Sequence, residues 1–454
     1  MAKFDYSKRD SFGSKLGIIA AAAGSAIGLG NIWRFPYVVG ENGGAAFILL
    51  YFGFIIIIGI PVMLSELVIG RRAQRNAYGA FKLLKPNQPW YLIGVMGIAA
   101  AFMILAFYST VAGWTLDYLY LSIINGFSGK SPGELHQIFN EFQASGWKPV
   151  MWQVIIMTLT AGIIISGVRK GIEKYTKVLM PLLLVLIIIM CIRSLTLPGA
   201  MAGLEFLFKP DFSKITAGTI LEALGQGFFS LSIGMGTLIT YGSYIQKKEN
   251  LSNTAYAVTV ADTMIALLAG IAIFPAVFAF GINPSEGEGL VFITLPNIFQ
   301  QMAGGYFWSL LFFSLLVIAA LTTTISVLEV VVAFLSEELG LGRRTATVLA
   351  AATITVLGIL CTMSQGPAPY IGFAGMNLFE IMDFSSANIL LPLGGLLIVI
   401  FVGWFLGRKN AMDELSNSGT YKARLFYLFL FVVRFLAPVA IAVVFLNGLG
   451  LLKL

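Results

Sequence analysis

Ala23-Gly24-Ser25-Ala26-Ile27-Gly28-Leu29-Gly30-Asn31 lies in the middle of an apolar run from Leu16 to Tyr37, and Gly225-Gln226-Gly227-Phe228-Phe229-Ser230-Leu231-Ser232-Ile233-Gly234-Met235-Gly236 lies in the middle of another. Hydrocarbon offers no partner for a freed N–H or C=O. A membrane helix therefore unwinds only where protein, ion or ligand satisfies the released groups. Glycine lowers the cost of unwinding and lets a ligand approach the backbone. Two such breaks predict a polar site near the membrane midplane, half-helix N-termini facing an anion and freed carbonyls facing a cation. Close packing of unbroken helices through Gly24 and Gly28 is the alternative. The second glycine-rich segment, with Ser25, Asn31, Gln226, Ser230 and Ser232, favours the breaks.

Working outward, the chain has 454 residues, 58% hydrophobic and 11% charged, too little polar surface for a water-soluble fold of this size. Apolar runs of about 20 residues, each able to cross roughly 30 Å of hydrocarbon, recur throughout. Eleven are expected, at 16–37, 45–70, 90–122, 150–167, 175–194, 218–245, 253–281, 305–338, 345–363, 377–406 and 423–448. The first is too long for a signal peptide and continues through Asn31, Trp33 and Arg34 without an Ala-x-Ala cleavage site. The two glycine-rich spans are five apart, an odd number, so they cross in opposite directions. That is the mark of an inverted repeat. The expected fold is an all-α membrane protein with one transmembrane domain over 1–454. It comprises repeats of approximately 10–195 and 215–406 and an extra helix at 423–448.

The net charge of +7 reflects topology rather than nucleic acid. Lys3, Lys8, Arg9 and Lys15 precede the first span. Arg71, Arg72, Arg75, Lys82, Lys85, Arg169, Lys170, Lys174, Lys177, Lys247, Lys248, Arg343, Arg344, Arg408, Lys409, Lys422 and Arg424 all fall on the same side of the membrane if the spans alternate. Positive loops stay inside. This predicts a multi-pass protein of the inner (plasma) membrane with a cytoplasmic N-terminus and an extracytoplasmic C-terminus, its partners being the lipid bilayer and a small molecule. The long loops 123–149 and 282–304 then face outward. The second carries Asn283-Pro284 and Gly287-Glu288-Gly289 before an amphipathic piece from Leu295 to Met302, suited to a lid.

Enzyme motifs fail. Gly129-Lys130-Ser131 has Ile124 where a P-loop needs its first glycine, and Gly28-Leu29-Gly30 lacks the third glycine of a dinucleotide fingerprint. Cys191 and Cys361 sit in apolar runs, and His136 sits in an outer loop, which argues against disulfide, cysteine-metal or histidine chemistry. No catalytic residue is expected. Buried ionisable groups are more informative, since each is costly without a partner. Glu66, Asp117, Glu329, Asp383, Arg34 and Arg434 allow either structural pairing or function. Asp262, a single carboxylate in an apolar span, calls for a cation or a strong donor. Thr322-Thr323-Thr324 offers hydroxyls that either bond back to the preceding turn or serve a hard cation.

At Gly28-Leu29-Gly30-Asn31-Ile32-Trp33-Arg34-Phe35-Pro36-Tyr37, followed by Glu41-Asn42-Gly43-Gly44, the chain resembles the neurotransmitter:sodium symporter family, especially its bacterial amino-acid members. Gly59-Ile60-Pro61, Gly171-Ile172-Glu173-Lys174, Ile293-Thr294-Leu295-Pro296 and Ala303-Gly304-Gly305 support the resemblance across all eleven spans. Many relatives have twelve spans. The five-plus-five core is complete here, and the oligomeric state stays open. The resemblance implies sodium-coupled symport of neutral, hydrophobic or aromatic L-amino acids by alternating access, with helices 1 and 6 unwound at mid-membrane and two sodium sites. One sodium would take the Ala26 carbonyl, Asn31, Ser230, a group at Asp262 and the substrate carboxylate. The other would take the Gly24, Ile27 and Ala319 carbonyls and the Thr322 and Thr323 hydroxyls. The substrate carboxylate would meet the Leu29 and Gly30 N–H groups and the Tyr108 hydroxyl, its side chain lying among Ile104, Phe229, Ser232, Met235, Thr323 and Val327. Arg34 and Asp383, above Phe229 and Tyr108, resemble an outer gate; Arg9, Glu337, Ser243 and Tyr244 resemble an inner one.

The departures from the family pattern are as telling. Asp262 stands where the family commonly has asparagine, so its fixed negative charge predicts no chloride requirement. Gly28 stands where monoamine carriers place an aspartate, which suits a substrate that brings its own carboxylate. Met235 favours a pocket that reshapes around apolar side chains. Gly171 and Pro181 are either end signals or a point of local unwinding. A channel and a non-transporting amino-acid sensor of the same fold are the rival functions.

Overall fold

In the computed structural model, residues 9–282, 290–373 and 375–452 are described. Lys3, Lys8, Asn283-Pro284 and Gly287-Glu288-Gly289 lie outside them. The chain is mostly helical, its one described strand pair being a short antiparallel hairpin of Gly372–Phe373 with Met376–Asn377. In chain order the helices are α1 (Lys15–Ala26), α2 (Gly30–Glu41), α3 (Ala45–Ala73), α4 (Ala77–Leu84), α5 (Tyr91–Ile123) and α6 (Pro132–Ala144). Then come α7 (Trp147–Ile165), α8 (Val168–Leu195), α9 (Ala200–Phe208), α10 (Ala217–Ser230), α11 (Thr237–Ser243) and α12 (Leu251–Ala279). The last are α13 (Leu295–Gln301), α14 (Gly305–Glu338), α15 (Arg343–Ser364), α16 (Leu378–Leu406), α17 (Arg408–Ser416) and α18 (Phe426–Gly448).

Nine described helices are long and apolar enough to cross a membrane, or ten if α1 and α2, bent by 52° at their junction, count as one span. The expected span 218–245 is present as two shorter helices, α10 and α11, on either side of a non-helical stretch. Large apolar side chains such as Ile56, Val178, Ile192, Val356 and Val439 are exposed, as they must be where lipid is the solvent. Helix α14 is the most enclosed and packs along α5, and α1 lies against α14, α12 and α8.

The structure moves several expected boundaries. The loop 123–149 contains α6, started by a capping box in which the Ser131 hydroxyl receives the Glu134 N–H and the Glu134 carboxylate receives the Ser131 N–H. His136 is therefore on a helix, beside Asn140. Helix α8 begins at Val168 rather than 175, because Gly167, at φ +94, turns the chain straight into it. Gly171 and Pro181 both fall within that helix, so in this structure the segment is wound. The amphipathic piece is the short helix α13. Cys191 and Cys361 are buried free thiols.

Candidate functional site

The site forms where the two interrupted segments meet α12, α5 and α14. Helix α1 ends at Ala26, and the chain passes through Ile27, Gly28 and Leu29 before α2 begins. Asn31 holds this junction from both ends. Its side-chain oxygen accepts the Gly28 N–H at 3.2 Å, while its amide nitrogen donates to Asp262 Oδ1 at 2.8 Å, to the Asp262 carbonyl at 3.2 Å and to Ser230 Oγ at 3.3 Å. Ser230, the last residue of α10, donates to both Asp262 oxygens at 2.9 and 3.0 Å. Asn31, Ser230 and Asp262, 1% exposed or less, thus converge from three separate segments. The donor Asp262 calls for is a set of three, the third being the Tyr51 hydroxyl, 3.1 Å from Ser230 Oγ and 3.5 Å from Asp262 Oδ2. Three oxygen-bearing side chains around one carboxylate form a hard, anionic cradle of the kind alkali cations prefer.

Of the second group of expected ligands, Gly24, Ala319 and Thr322 are brought together. A Cβ on Gly24 would lie 3.3 Å from the Thr322 Cβ, so α1 faces α14 at that level. The Thr322 hydroxyl bonds back to the Ile318 and Ala319 carbonyls at 3.1 and 3.0 Å, the ordinary behaviour of a helical threonine. Thr323 Oγ1 is buried with no hydrogen-bond partner among the described residues. A Cβ on Gly28 would sit 2.3 Å from that oxygen and 3.0 Å from the Tyr108 hydroxyl, so a larger residue would have to push those two side-chain hydroxyls aside. The Leu29 N–H donates to the Tyr108 hydroxyl at 3.1 Å, placing together two groups expected to meet a carboxylate.

A cavity of about 80 Å3 is lined by Leu29, Gly30, Tyr108, Phe229, Arg34 and Asp383, among others. Ile104, Ser232, Met235 and Val327 are buried outside its lining. Ser232 Oγ donates instead to the Ser25 carbonyl at 2.9 Å, tying the second break to the first. Arg34 stacks 4.5 Å over the Phe229 ring, and no ion pair joins it to Asp383 across the cavity. The inner cluster is closed. Arg9 donates to Glu337 at 2.7 Å and to the Ser243 carbonyl and hydroxyl at 2.7 and 2.8 Å, and it lies 4.5 Å over the Tyr244 ring.

Three groups matter that the resemblance leaves without roles. Tyr51 is one. Glu66 accepts the Gly234 N–H at 2.7 Å, satisfying backbone released by the second break. Arg343 holds Glu329 at 2.7 Å, with the Tyr244 hydroxyl donating to the same carboxylate at 2.6 Å. Glu66 and Glu329 thus have structural partners. So has Asp117, which accepts from Trp152, and Arg434 donates to the Gly403 carbonyl.

The family model described as the sodium:neurotransmitter symporter family matches residues 9–132 and 127–453, nearly the whole chain. The chain belongs to that family. It is a multi-pass membrane transporter and not an enzyme, and the family's sodium dependence applies to it. This symporter is 39% identical to an uncharacterised sodium-dependent transporter, YhdH, of Bacillus subtilis, over 97% of its own length and 98% of the relative's. It is 32% identical to a second such transporter, of Methanocaldococcus jannaschii, over 98% and 92% of the two chains. Among solved structures it is similar to MhsT in complex with L-phenylalanine, with a TM-score of 0.90 and 46% identity over 97% of this chain and 100% of that one.

Proposed function

We propose that this symporter carries neutral, hydrophobic or aromatic L-amino acids into the cell together with sodium, without a chloride requirement. The observation that carries the reading is the convergence of Asn31, Ser230 and Asp262 where two interrupted helices meet. MhsT, similar over its full length, was solved with L-phenylalanine. The first sodium takes Asn31, Ser230, Asp262 and the Ala26 carbonyl. The second takes the Gly24, Ile27 and Ala319 carbonyls with Thr322 and Thr323. The substrate carboxylate takes over the Leu29 N–H, accepts from the freed Tyr108 hydroxyl and from the Gly30 N–H as well, and completes the first sodium's shell. Each ligand then raises the affinity of the other by one common factor. Asp262 supplies next to that cation the negative charge that a chloride would otherwise provide, and Gly28 leaves space for a carboxylate-bearing substrate.

Alternating access follows from the asymmetry of the two ends. The Arg9–Glu337–Ser243 cluster seals one side while Arg34 and Asp383 remain apart on the other, so the conformation is closed inside. Ten of eleven spans form two inverted repeats, approximately 10–195 and 215–406 with α10 and α11 as one interrupted span, and the extra helix is 423–448; the two interrupted spans move against the scaffold of the others. The basic loops support a cytoplasmic N-terminus.

Uptake of labelled phenylalanine, tryptophan and leucine into proteoliposomes tests the reading. Uptake in sodium but not potassium salts, unchanged when gluconate replaces chloride, is expected. Equal uptake in both cations contradicts coupling, and binding without uptake favours a sensor. Asp262→Asn should lose uptake in gluconate and recover part of it in chloride.

A further inference from the structure

At the end of α5 away from the Arg9 cluster lies a carboxylate with no part in transport. Asp117, 7% exposed, lines a cavity of about 550 Å3 between α5, α6 and the start of α7. Its Oδ1 accepts the Trp152 indole N–H at 2.7 Å, and among the described residues no donor reaches its Oδ2. That oxygen is open to the cavity, not sealed from it. It is the acceptor the cavity offers to a ligand that brings an N–H. Glu141 lines the same cavity, as do the rings of Tyr120, Trp147 and Trp152, whose faces favour a cation. Lys148, also in the lining, is close enough to Asp117 to act on its charge but forms no ion pair with any described carboxylate, so the cavity presents both signs of charge to a ligand.

The surroundings say what kind of molecule carries both. Met151, Val154, Ile155 and Leu159 are exposed at helical spacing along α7, an apolar stripe that runs from the cavity mouth into the span. Trp147 and Tyr120 stand exposed at its upper end, the position of interfacial aromatic residues in membrane proteins. A polar head held in the cavity would lay its apolar chains on that stripe.

We propose that this cavity is a binding site for a phospholipid whose headgroup bears a primary ammonium, the chemistry of phosphatidylethanolamine. The ammonium donates to Asp117 Oδ2 and pairs with Glu141, the aromatic rings enclose it, and the phosphate meets Lys148. A belt of interfacial aromatics alone would hold any lipid equally. This site discriminates, because a trimethylated ammonium has no N–H to give to Asp117. The assignment depends on the chain spanning a membrane and is independent of sodium coupling.

Native mass spectrometry of the purified full chain, with phosphatidylethanolamine, phosphatidylcholine and phosphatidylglycerol of matched acyl chains, tests it. The expected result is retention of phosphatidylethanolamine roughly tenfold over the other two. Asp117→Asn, which keeps an acceptor for Trp152, should abolish that preference at an unchanged melting midpoint. Equal retention of the three lipids overturns the proposal, as does an Asp117→Asn protein with wild-type selectivity. Should that variant fail to fold, the pair Glu141→Gln and Lys148→Gln, both exposed, carries the test, and undiminished selectivity in the pair overturns the proposal. Soluble glycerophosphoethanolamine that displaces the lipid at equal concentration would overturn a lipid as the occupant.

Discussion

The two glycine-rich breaks look alike as sequence and differ as structure. In the first, none of Gly24, Gly28 or Gly30 has a positive φ. Its glycines supply space, Gly28 against Thr323 and Tyr108, Gly30 against the Phe229 ring. In the second, Ser232 (φ +53), Gly234 (φ +88) and Gly236 (φ +74) all adopt left-handed backbone. Its glycines supply conformation, and the freed Gly234 N–H goes to Glu66. One break is a short joint built to let a ligand in. The other is a longer unwound turn anchored by its own carboxylate, and the Ser232 to Ser25 hydrogen bond couples the two.

The comparison predicts opposite phenotypes for the same kind of substitution. Gly234→Ala should have the largest effect, because the new methyl would sit 2.3 Å from the Leu391 carbonyl oxygen at a φ that L-residues avoid. A loss of about 3 kcal/mol in stability is expected from strain and overlap together. A thiol-reactive dye that reports exposure of the buried Cys191 and Cys361 on heating would read it as a lowered melting midpoint. Gly28→Ala should leave that midpoint near wild type and raise the apparent KM for amino-acid uptake roughly tenfold, since one methyl group's overlap falls on the ligand side of the joint. Equal loss of stability in both variants would erase the distinction between space and conformation. Tyr108→Phe is the gentlest change. It removes the hydroxyl beside the Leu29 N–H and should weaken substrate binding by about fivefold, the worth of one hydrogen bond, without altering sodium dependence.

Much of this site is legible in the sequence because glycine, serine and asparagine clustered inside an apolar run are costly in hydrocarbon unless an ion, a ligand or freed backbone needs them. Asn31, Ser230 and Asp262 meet as the family resemblance implies, and so do Arg9, Glu337, Ser243 and Tyr244. Other parts are hidden for physical reasons. Tyr51 reads as one more aromatic in an apolar span, and only the fold shows its hydroxyl aimed at Ser230. Glu66 is visible as a buried acid, yet its partner is a backbone N–H 168 positions away, a type of contact that leaves no trace in side-chain pattern. The two nearly identical glycine signals do not say which break needs space and which needs a left-handed turn. The span count is obscured differently. A non-helical stretch separates α10 from α11, neither long enough to cross alone. Helix α6 is legible from Ser131-Pro132-Gly133-Glu134, and reading 123–149 as loop passes over that capping box.

In the proposed mechanism, substrate carboxylate and sodium share the cradle of Asn31, Ser230 and Asp262. Equilibrium binding of labelled L-phenylalanine to the purified protein across a sodium titration tests it most directly. Phenylalanine affinity should rise with sodium, sodium affinity should rise by the same factor with phenylalanine, and Asp262→Ala should lose both effects together. Phenylalanine binding of equal strength in sodium and potassium, or full reciprocity retained in Asp262→Ala, would contradict it.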